Sequence, residues 1–203
     1  MKKKEIRIYF KAITDGDREK VAELIESDKA YLTVCSFAPP KKNDGQSGLQ
    51  VAFKTGNFDI ATLLIAKGAD VNFRETSAIN EWTAPVLHDC IRAMIFNSYT
   101  LQKNEDRFNQ AYLLFQQMLE RKADPNAIDS YGNNCLHRAI LDAQQMINHP
   151  HADLSDGILL QQLRKLFKTL ISAGADIHRH DDRRPDAESL IKNFRLENYQ
   201  LLE

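Results

Sequence analysis

The sequence predicts an all-α repeat solenoid, and two observations carry this prediction. Three short segments recur at 68–72, 122–126 and 174–178, each with Ala-Asp at its centre and each directly after an apolar helical stretch. Within the clearest unit, residues 47–72, apolar residues recur at intervals of three and four, the spacing of one helix face. A unit that recurs in this way buries its apolar face against its neighbours, so the units are expected to stack in a row.

Each element of the unit 47–72 follows from its residues. Two helices carry one apolar stripe each, at Leu49, Ala52 and Phe53 in the first and at Ile60, Leu63 and Leu64 in the second. Gly56 lies between the stripes, where the chain must reverse sharply, and Gly68 follows the second stripe as a left-handed helix cap. The unit is therefore expected to be a helix, a tight turn and a second helix.

Two further segments share a second motif, Pro85-Val86-Leu87-His88 and Asn134-Cys135-Leu136-His137. Together with the Ala-Asp segments, they resemble the ankyrin repeat, whose unit of about 33 residues is a turn and two antiparallel helices with a T-P-L-H-x-A signature. The resemblance extends over about residues 44–178. It implies a structural role for His88 and His137, because the matching histidine of that family connects its hairpin to the neighbouring repeat by hydrogen bonds.

The resemblance implies a single ankyrin repeat domain over residues 1–203. We expect about five ankyrin-like helix-pair repeats, at approximately 1–42, 43–75, 76–127, 128–180 and 181–203. The first and last are irregular, as is usual for terminal repeats that face water. Short hairpin turns are expected at 43–46, 79–83, 129–133 and 180–184, and we call these four segments the hairpin tips.

Two repeats are enlarged by helical insertions. The recurring segments begin 54 and 52 residues apart, about twenty residues more than one ankyrin unit needs. Helical apolar spacing continues over 91–99, 108–119 and 158–171, which indicates lengthened helices joined by polar loops at 104–106 and 149–156. Because consecutive repeats stack in register, we expect the two additions to lie side by side.

Composition and charge argue against nucleic acid and membrane as partners. Lys and Arg total 27 against 28 Asp and Glu, so the chain has no strong basic field. No uncharged run approaches the ~20 residues of a membrane span, and no secretory signal follows the basic start. The three cysteines are widely separated, as is usual in a reducing compartment. We therefore expect a cytoplasmic monomer without a cofactor.

Histidine, aspartate and cysteine residues that could take part in catalysis suggest an enzyme as the alternative function. The segment His178–Asp182 contains two histidines and two aspartates, and His149–Asp153 contains two histidines and one aspartate. Neither has the spacing of a zinc signature, and both lie in expected loops. Cys90 and Cys135 occupy apolar positions of their motifs, so we expect both to be small buried residues. The alternative function is a metal- or thiol-dependent enzyme that uses these residues.

Aromatic and charged residues at the hairpin tips are the candidate binding residues. Trp82 and Tyr131 are not needed by the apolar stripes, and such residues often dominate interfaces. For Trp82, packing against the adjacent repeat is an equally weighted alternative. Charged residues at 181–184 would add specificity. The predicted partner-binding residues are Trp82, Tyr131, Phe73, Asn133, Asp182, Arg183 and Arg184.

The leading functional hypothesis is a non-catalytic protein–protein interaction module. It would bind a protein partner through the hairpin tips and the concave helix face, as the family resemblance implies. The length and the two enlarged repeats resemble stand-alone bacterial ankyrin repeat proteins. An inhibitor, an immunity protein and an effector that acts on a host protein are all compatible with these features.

Overall fold

The structure, a computed structural model, describes residues 1–37, 40–100 and 103–203. In these residues the chain forms nine α-helices, three short 3-10 helices and isolated β-bridges, without a β-strand. The α-helices are α1 (Lys3–Asp15), α2 (Arg18–Ser27), α3 (Gly48–Thr55), α4 (Phe58–Ala66), α5 (Val86–Phe96), α6 (Asp106–Glu120), α7 (Cys135–Ile147), α8 (Ile158–Ser172) and α9 (Ala187–Asn193). The all-α repeat fold that the sequence predicts is confirmed.

The chain divides into two compact units, Met1–Asp89 and Cys90–Glu203. Helices α1 to α4 lie in the first unit and α6 to α9 in the second, and the division falls within α5. A single ankyrin repeat domain with the five approximate units expected from the sequence stays a prediction.

Two helix pairs, α1 with α2 and α3 with α4, make up most of the first unit. Both pairs reverse at a glycine with positive φ, 79° at Gly16 and 71° at Gly56, a conformation that other residues adopt only with strain. The Nδ2 of Asn57 donates a hydrogen bond to the carbonyl of Ile13 at 2.7 Å, which connects the start of α4 to the end of α1. The buried core includes Tyr9, Ile13, Leu49, Phe53, Ile60 and Leu64.

The hairpin loops of the first unit are longer than the turns that the sequence predicts. They close at two antiparallel bridges, Cys35 with Ser47 and Arg74 with Pro85. The turn expected at 79–83 is the outer end of the second loop. Residues 43–46 instead belong to the closing arm of the first loop, because Gly45 and Gln46 both form backbone hydrogen bonds with Ser36.

The two loops of the first unit pack directly on each other. The backbone N–H of Thr76 donates to the carbonyl of Gly45 at 3.0 Å, and the Ser77 hydroxyl donates to Oδ2 of Asp44 at 2.9 Å. Gly45 has a φ of 75°, and a Cβ at this position would lie 2.1 Å from the backbone nitrogen of Ser77. Glycine is therefore required here both by conformation and by the close approach of the second loop.

The second helix of each enlarged repeat is longer than any helix of the first unit, of which α1 is the longest with 13 residues. Helices α6 and α8 have 15 residues each, whereas α3 has 8 and α4 has 9. Helix α5 ends at Phe96, although apolar spacing predicted a helix as far as Tyr99. The Nδ2 of Asn97 and the hydroxyl of Ser98 donate to the carbonyls of Ala93 and Ile95, and such side-chain bonds compete with continuation of a helix.

The loops of the two additions contact each other within the second unit. They run from 97 to 105, of which 101 and 102 lie outside the described residues, and from 148 to 157. The backbone N–H of Tyr99 donates to Oε1 of Gln162 at 2.7 Å, and Nζ of Lys103 lies 2.7 Å from Oδ2 of Asp153. The expectation that the two additions lie side by side is confirmed.

Candidate functional site

The hairpin tip 129–133 is a tight turn built around one carboxylate. Asp129 is 1% exposed, and its Oδ1 accepts hydrogen bonds from the backbone N–H groups of Tyr131 and Asn133 at 2.9 and 3.0 Å. The Nδ2 of Asn133 donates to the other oxygen of this carboxylate at 2.9 Å. Because Asn133 is 3% exposed, its side chain supports the turn from inside and does not lie on the exposed surface of the tip.

Tyr131 is the exposed residue of this turn. Its side chain is 43% exposed, while the backbone on either side is fixed by the bonds to Asp129. The next residue, Gly132, has a φ of 85°, and a Cβ there would lie 2.9 Å from Oδ2 of Asp181. The hairpin tip that carries Tyr131 therefore lies against the hairpin tip 180–184.

The hairpin tip 180–184 is also closed around an aspartate. The Oδ1 of Asp181 accepts from the backbone N–H groups of Arg183 and Arg184 at 2.8 and 2.9 Å. These bonds, first that from Arg183, favour the ionised form and hold the pKa of the Asp181 carboxyl below its ordinary value. Asp182 and Arg183 are exposed, and Arg184 is half-buried. The tip thus presents fixed charges of both signs next to Tyr131.

Beneath these tips, the start of α7 is held by buried polar side chains. Asn134 caps the helix, since its Oδ1 accepts from the backbone N–H of His137 at 3.0 Å. The Nδ2 of Asn134 donates to the carbonyl of Asp176 at 3.1 Å, and the ring of His137 bonds to the carbonyl of Pro185. Burial lowers the pKa of His137. The structural role implied for His137 is confirmed.

Trp82 and Phe73 belong to the first unit, and both are half-buried. The Nζ of Lys54 lies 5.6 Å from the centroid of the Trp82 ring, within the range of a cation–π contact. Trp82 also lines an open groove of about 440 Å³ together with Lys42 and Ile79, and Ile79 is 45% exposed. Trp82 therefore lies near Lys54 of the preceding repeat and stays partly exposed, and its role in binding stays a prediction.

Lys54 is positioned by two buried carboxylates. Its Nζ lies 3.9 Å from Oε2 of Glu75 and 3.8 Å from Oδ1 of Asp89, and these acidic residues are 4% and 2% exposed. Glutamine side chains donate hydrogen bonds to the same two residues, from Gln46 to Oε2 of Glu75 at 3.1 Å and from Gln50 to Oδ2 of Asp89 at 2.7 Å. This network fixes the cation that lies over Trp82.

Burial and exposure distinguish the cysteines from the histidines of the enzymatic alternative. Cys90 and Cys135 are buried, and burial raises the pKa of the Cys135 thiol well above its ordinary value. The rings of His149 and His151 are tilted, with centroids 5.6 Å apart, and His178 is exposed. In residues 1–37, 40–100 and 103–203, no group of three or more His, Cys, Asp or Glu side chains could hold a metal ion.

A pocket of about 290 Å³ in the second unit was missed by the sequence analysis. It lies where the two additions begin, at the ends of α5 and α7, and its lining includes Phe96, Asn97, Arg107, Gln145, Met146 and His149. The lengths of the additions indicated that their loops would meet. No motif in the sequence marked these particular side chains as neighbours.

The fold and the exposed tips define a helix-pair repeat protein whose hairpin turns present aromatic and charged residues. The family model of the ankyrin repeat matches residues 44–76, which contain α3, α4 and the turn before them. The chain therefore contains an ankyrin repeat, and the resemblance seen in the sequence is confirmed over these residues. Ankyrin repeats generally serve as protein-interaction modules. No curated protein matches the chain.

Throughout the part of the chain that the structure describes, no helix is long and apolar enough to cross a membrane.

Proposed function

We propose that this chain is a non-catalytic module that binds a protein partner through its hairpin tips. The observation that carries the proposal is Tyr131, a 43% exposed aromatic side chain on a turn whose backbone is held by the buried carboxylate of Asp129. An exposed tyrosine on a fixed turn offers a large contact area and loses little conformational entropy on binding.

The neighbouring hairpin tip 180–184 supplies charge. Asp182 and Arg183 are exposed beside the turn that carries Tyr131, and Arg184 is half-buried between the two tips. Charged groups at the edge of an interface act mainly on the association rate and on the choice of partner. Tyr131 would therefore supply most of the affinity, and the charged tip would supply orientation.

In the first unit, the proposed contacts are Trp82 and Phe73. The half-buried Trp82 lines the same groove as the exposed side chain of Ile79, and the two form a small apolar surface. Alignment of Trp82 with Tyr131 and Arg183 along one edge stays a prediction. Asn133 acts as a support of its turn in this proposal, because it is buried.

The finer parts of the proposal are a cytoplasmic location, a monomeric state and a dedicated protein partner. A formal net charge of −1 supports a protein rather than a nucleic acid as the ligand. An inhibitor, an immunity protein and an effector would each use the same tips. The burial of Cys90 and Cys135 supports a non-catalytic role, since a reactive thiol needs access and a lowered pKa.

Photo-crosslinking tests this proposal in cells that make the protein. A photoreactive phenylalanine analogue replaces Tyr131 in one variant and Leu113 in a control variant, because Leu113 is 58% exposed on α6 and lies outside the tips. We expect one protein to be crosslinked at position 131 and not at position 113. Equal crosslinking at both positions, or none at position 131, would contradict the proposal.

A further inference from the structure

The pocket between the two additions has no role in the proposed binding by the hairpin tips. Its lining includes two apolar side chains, Phe96, which is 43% exposed, and Met146, which is 5% exposed. Polar side chains share the lining, among them Asn97, Arg107 and Gln145. A concave surface that combines apolar side chains with a few polar groups is the usual form of a binding site.

The lining of this pocket is rich in hydrogen-bond donors and, among the described residues, contains no carboxylate. Arg107 brings a permanent positive charge, and its Nε lies 3.4 Å from Oδ1 of Asn97, which orients the guanidinium. His149 and the amide of Gln145 line the same space. A guanidinium with neighbouring amide and imidazole groups is suited to a carboxylate, which accepts two hydrogen bonds from one arginine.

The walls of the pocket are held in place by the contacts between the two additions. The backbone of Tyr99 is bonded to Gln162, and Lys103 is paired with Asp153 at 2.7 Å and with Asp156 at 3.6 Å. Lys103 is thus engaged by two carboxylates. Among the described residues that line the pocket, Arg107 carries the permanent positive charge.

We propose that this pocket binds a glutamate or aspartate side chain of a protein partner, with an apolar neighbour of that residue packed on Phe96. The inference rests on the proposed function in one respect, since the occupant belongs to a protein partner. A volume of about 290 Å³ lies at the lower end of the range for small-molecule sites, so it accepts one or two side chains. One arginine also falls far short of the several cations that a nucleic acid backbone requires.

Two dipeptide amides test the site on the full chain without a partner. N-acetyl-Leu-Glu-amide carries the carboxylate, and N-acetyl-Leu-Gln-amide has the same shape without the charge. We expect the glutamate peptide to shift the backbone amide NMR signals of residues 96–107 and 145–149 saturably, with a dissociation constant in the millimolar range or tighter. The glutamine peptide should bind roughly tenfold more weakly, because a hydrogen bond to a charged group is lost.

Arg107→Gln is the variant that tests the proposed contact, and Arg121→Gln is its matched control because Arg121 is an exposed arginine outside the pocket. Arg107→Gln should lower the affinity for the glutamate peptide roughly tenfold, and Arg121→Gln should leave this affinity unchanged. Circular dichroism verifies that both variants are folded. Equal affinity of the two peptides, an unchanged affinity in Arg107→Gln, or the absence of saturable shifts would overturn the inference.

Two further results separate this inference from the proposed function. If acetate binds as tightly as the glutamate peptide, the pocket is a simple anion site, and the proposal that it binds a side chain of a protein partner is wrong. A partner that requires Tyr131 but binds Arg107→Gln with full affinity would contradict the pocket and leave the proposed function intact. A tenfold loss of that partner's affinity in Arg107→Gln alone would support the pocket independently of the tips.

Discussion

The Nε2 atom of His137 lies 2.7 Å from the carbonyl oxygen of Pro185, so the start of α7 is bonded to the segment that precedes α9. The Nδ1 atom of the same ring lies 2.7 Å from Oδ1 of Asn134, the residue that caps α7. Asn134 in turn donates to the carbonyl of Asp176. One buried histidine and its neighbouring cap therefore connect one repeat to the backbone of the next.

Replacing His137 with alanine is expected to lower the free energy of unfolding by about 1–2 kcal/mol, because the carbonyl of Pro185 loses its buried donor. Urea denaturation measures the loss. His178→Ala is the control, since His178 is exposed, and it should leave the stability unchanged. A His137→Ala variant of full stability that had lost a measurable activity would show a catalytic rather than a structural histidine.

The pH dependence of stability should also report on His137. Burial lowers its pKa below the ordinary value of 6.5, and the charges of Arg179 and Arg184 act in the same direction, while the bond to Pro185 and the charge of Asp181 oppose it. The unfolded chain then binds the proton at a higher pH than the folded chain does. The contribution of His137 to the free energy of unfolding is therefore fully present above about pH 6.5 and falls as the pH is lowered through this value.

Urea denaturation at pH 7.5 and 5.5 measures the direction of this pH dependence. The native protein should lose more stability between the two pH values than His137→Ala does. The carboxyls of Asp153, Asp181 and Asp186 have pKa values held below 3.8 by hydrogen bonds, so their contribution is lost only at lower pH. An equal loss in the native protein and in His137→Ala would assign the pH dependence to other groups.

Two glycine substitutions should have very different costs. Gly68 has a φ of 96°, and a Cβ added there would have nothing within 4 Å, so Gly68→Ala should cost only the backbone strain of about 1–2 kcal/mol. At Gly45, the added Cβ would lie 2.1 Å from the backbone nitrogen of Ser77. Gly45→Ala should therefore cost at least about 3 kcal/mol in urea denaturation. Equal costs would show that the two loops of the first unit do not pack as described.

The contact between the two additions can be tested at Gln162. This residue is 5% exposed, and its Oε1 accepts the hydrogen bond from the backbone N–H of Tyr99. Gln162→Ala should lower the free energy of unfolding by about 1–2 kcal/mol, because that N–H loses its partner. Gln161→Ala is the control at the exposed neighbouring position and should stay within about 0.5 kcal/mol. Equal stability of the two variants would mean that the loops do not depend on this bond.

Much of the helical architecture could be predicted because its signals are local. Apolar spacing predicted a helix at 158–171, and α8 runs from Ile158 to Ser172. Recurrence also placed Lys122 where the other repeats have glycine, and it adopts a φ of 66°. The predicted end of α5 was wrong. The side chains of Asn97 and Ser98 bond to carbonyls in the last turn of the helix, and the spacing of apolar residues does not indicate this competition.

The candidate site was only partly predictable. The exposure of Tyr131 followed from its place outside the apolar stripes. The burial of Asn133 did not, because it depends on the pairing of its amide with the carboxylate of Asp129. The pocket with Phe96 and His149 could not be found, since these residues are about fifty positions apart and lie at the start of loops whose path no periodicity sets.

The affinity of the Tyr131→Ala variant for the crosslinked partner tests the central claim most directly. Isothermal titration calorimetry should show a loss of about 2 kcal/mol, roughly thirtyfold, with an unchanged melting temperature, because an exposed side chain contributes little packing. Leu113→Ala should bind as the native protein does. If Tyr131→Ala instead unfolds the protein while the folded fraction keeps full affinity, Tyr131 is a core residue and the hairpin tips are not the binding site.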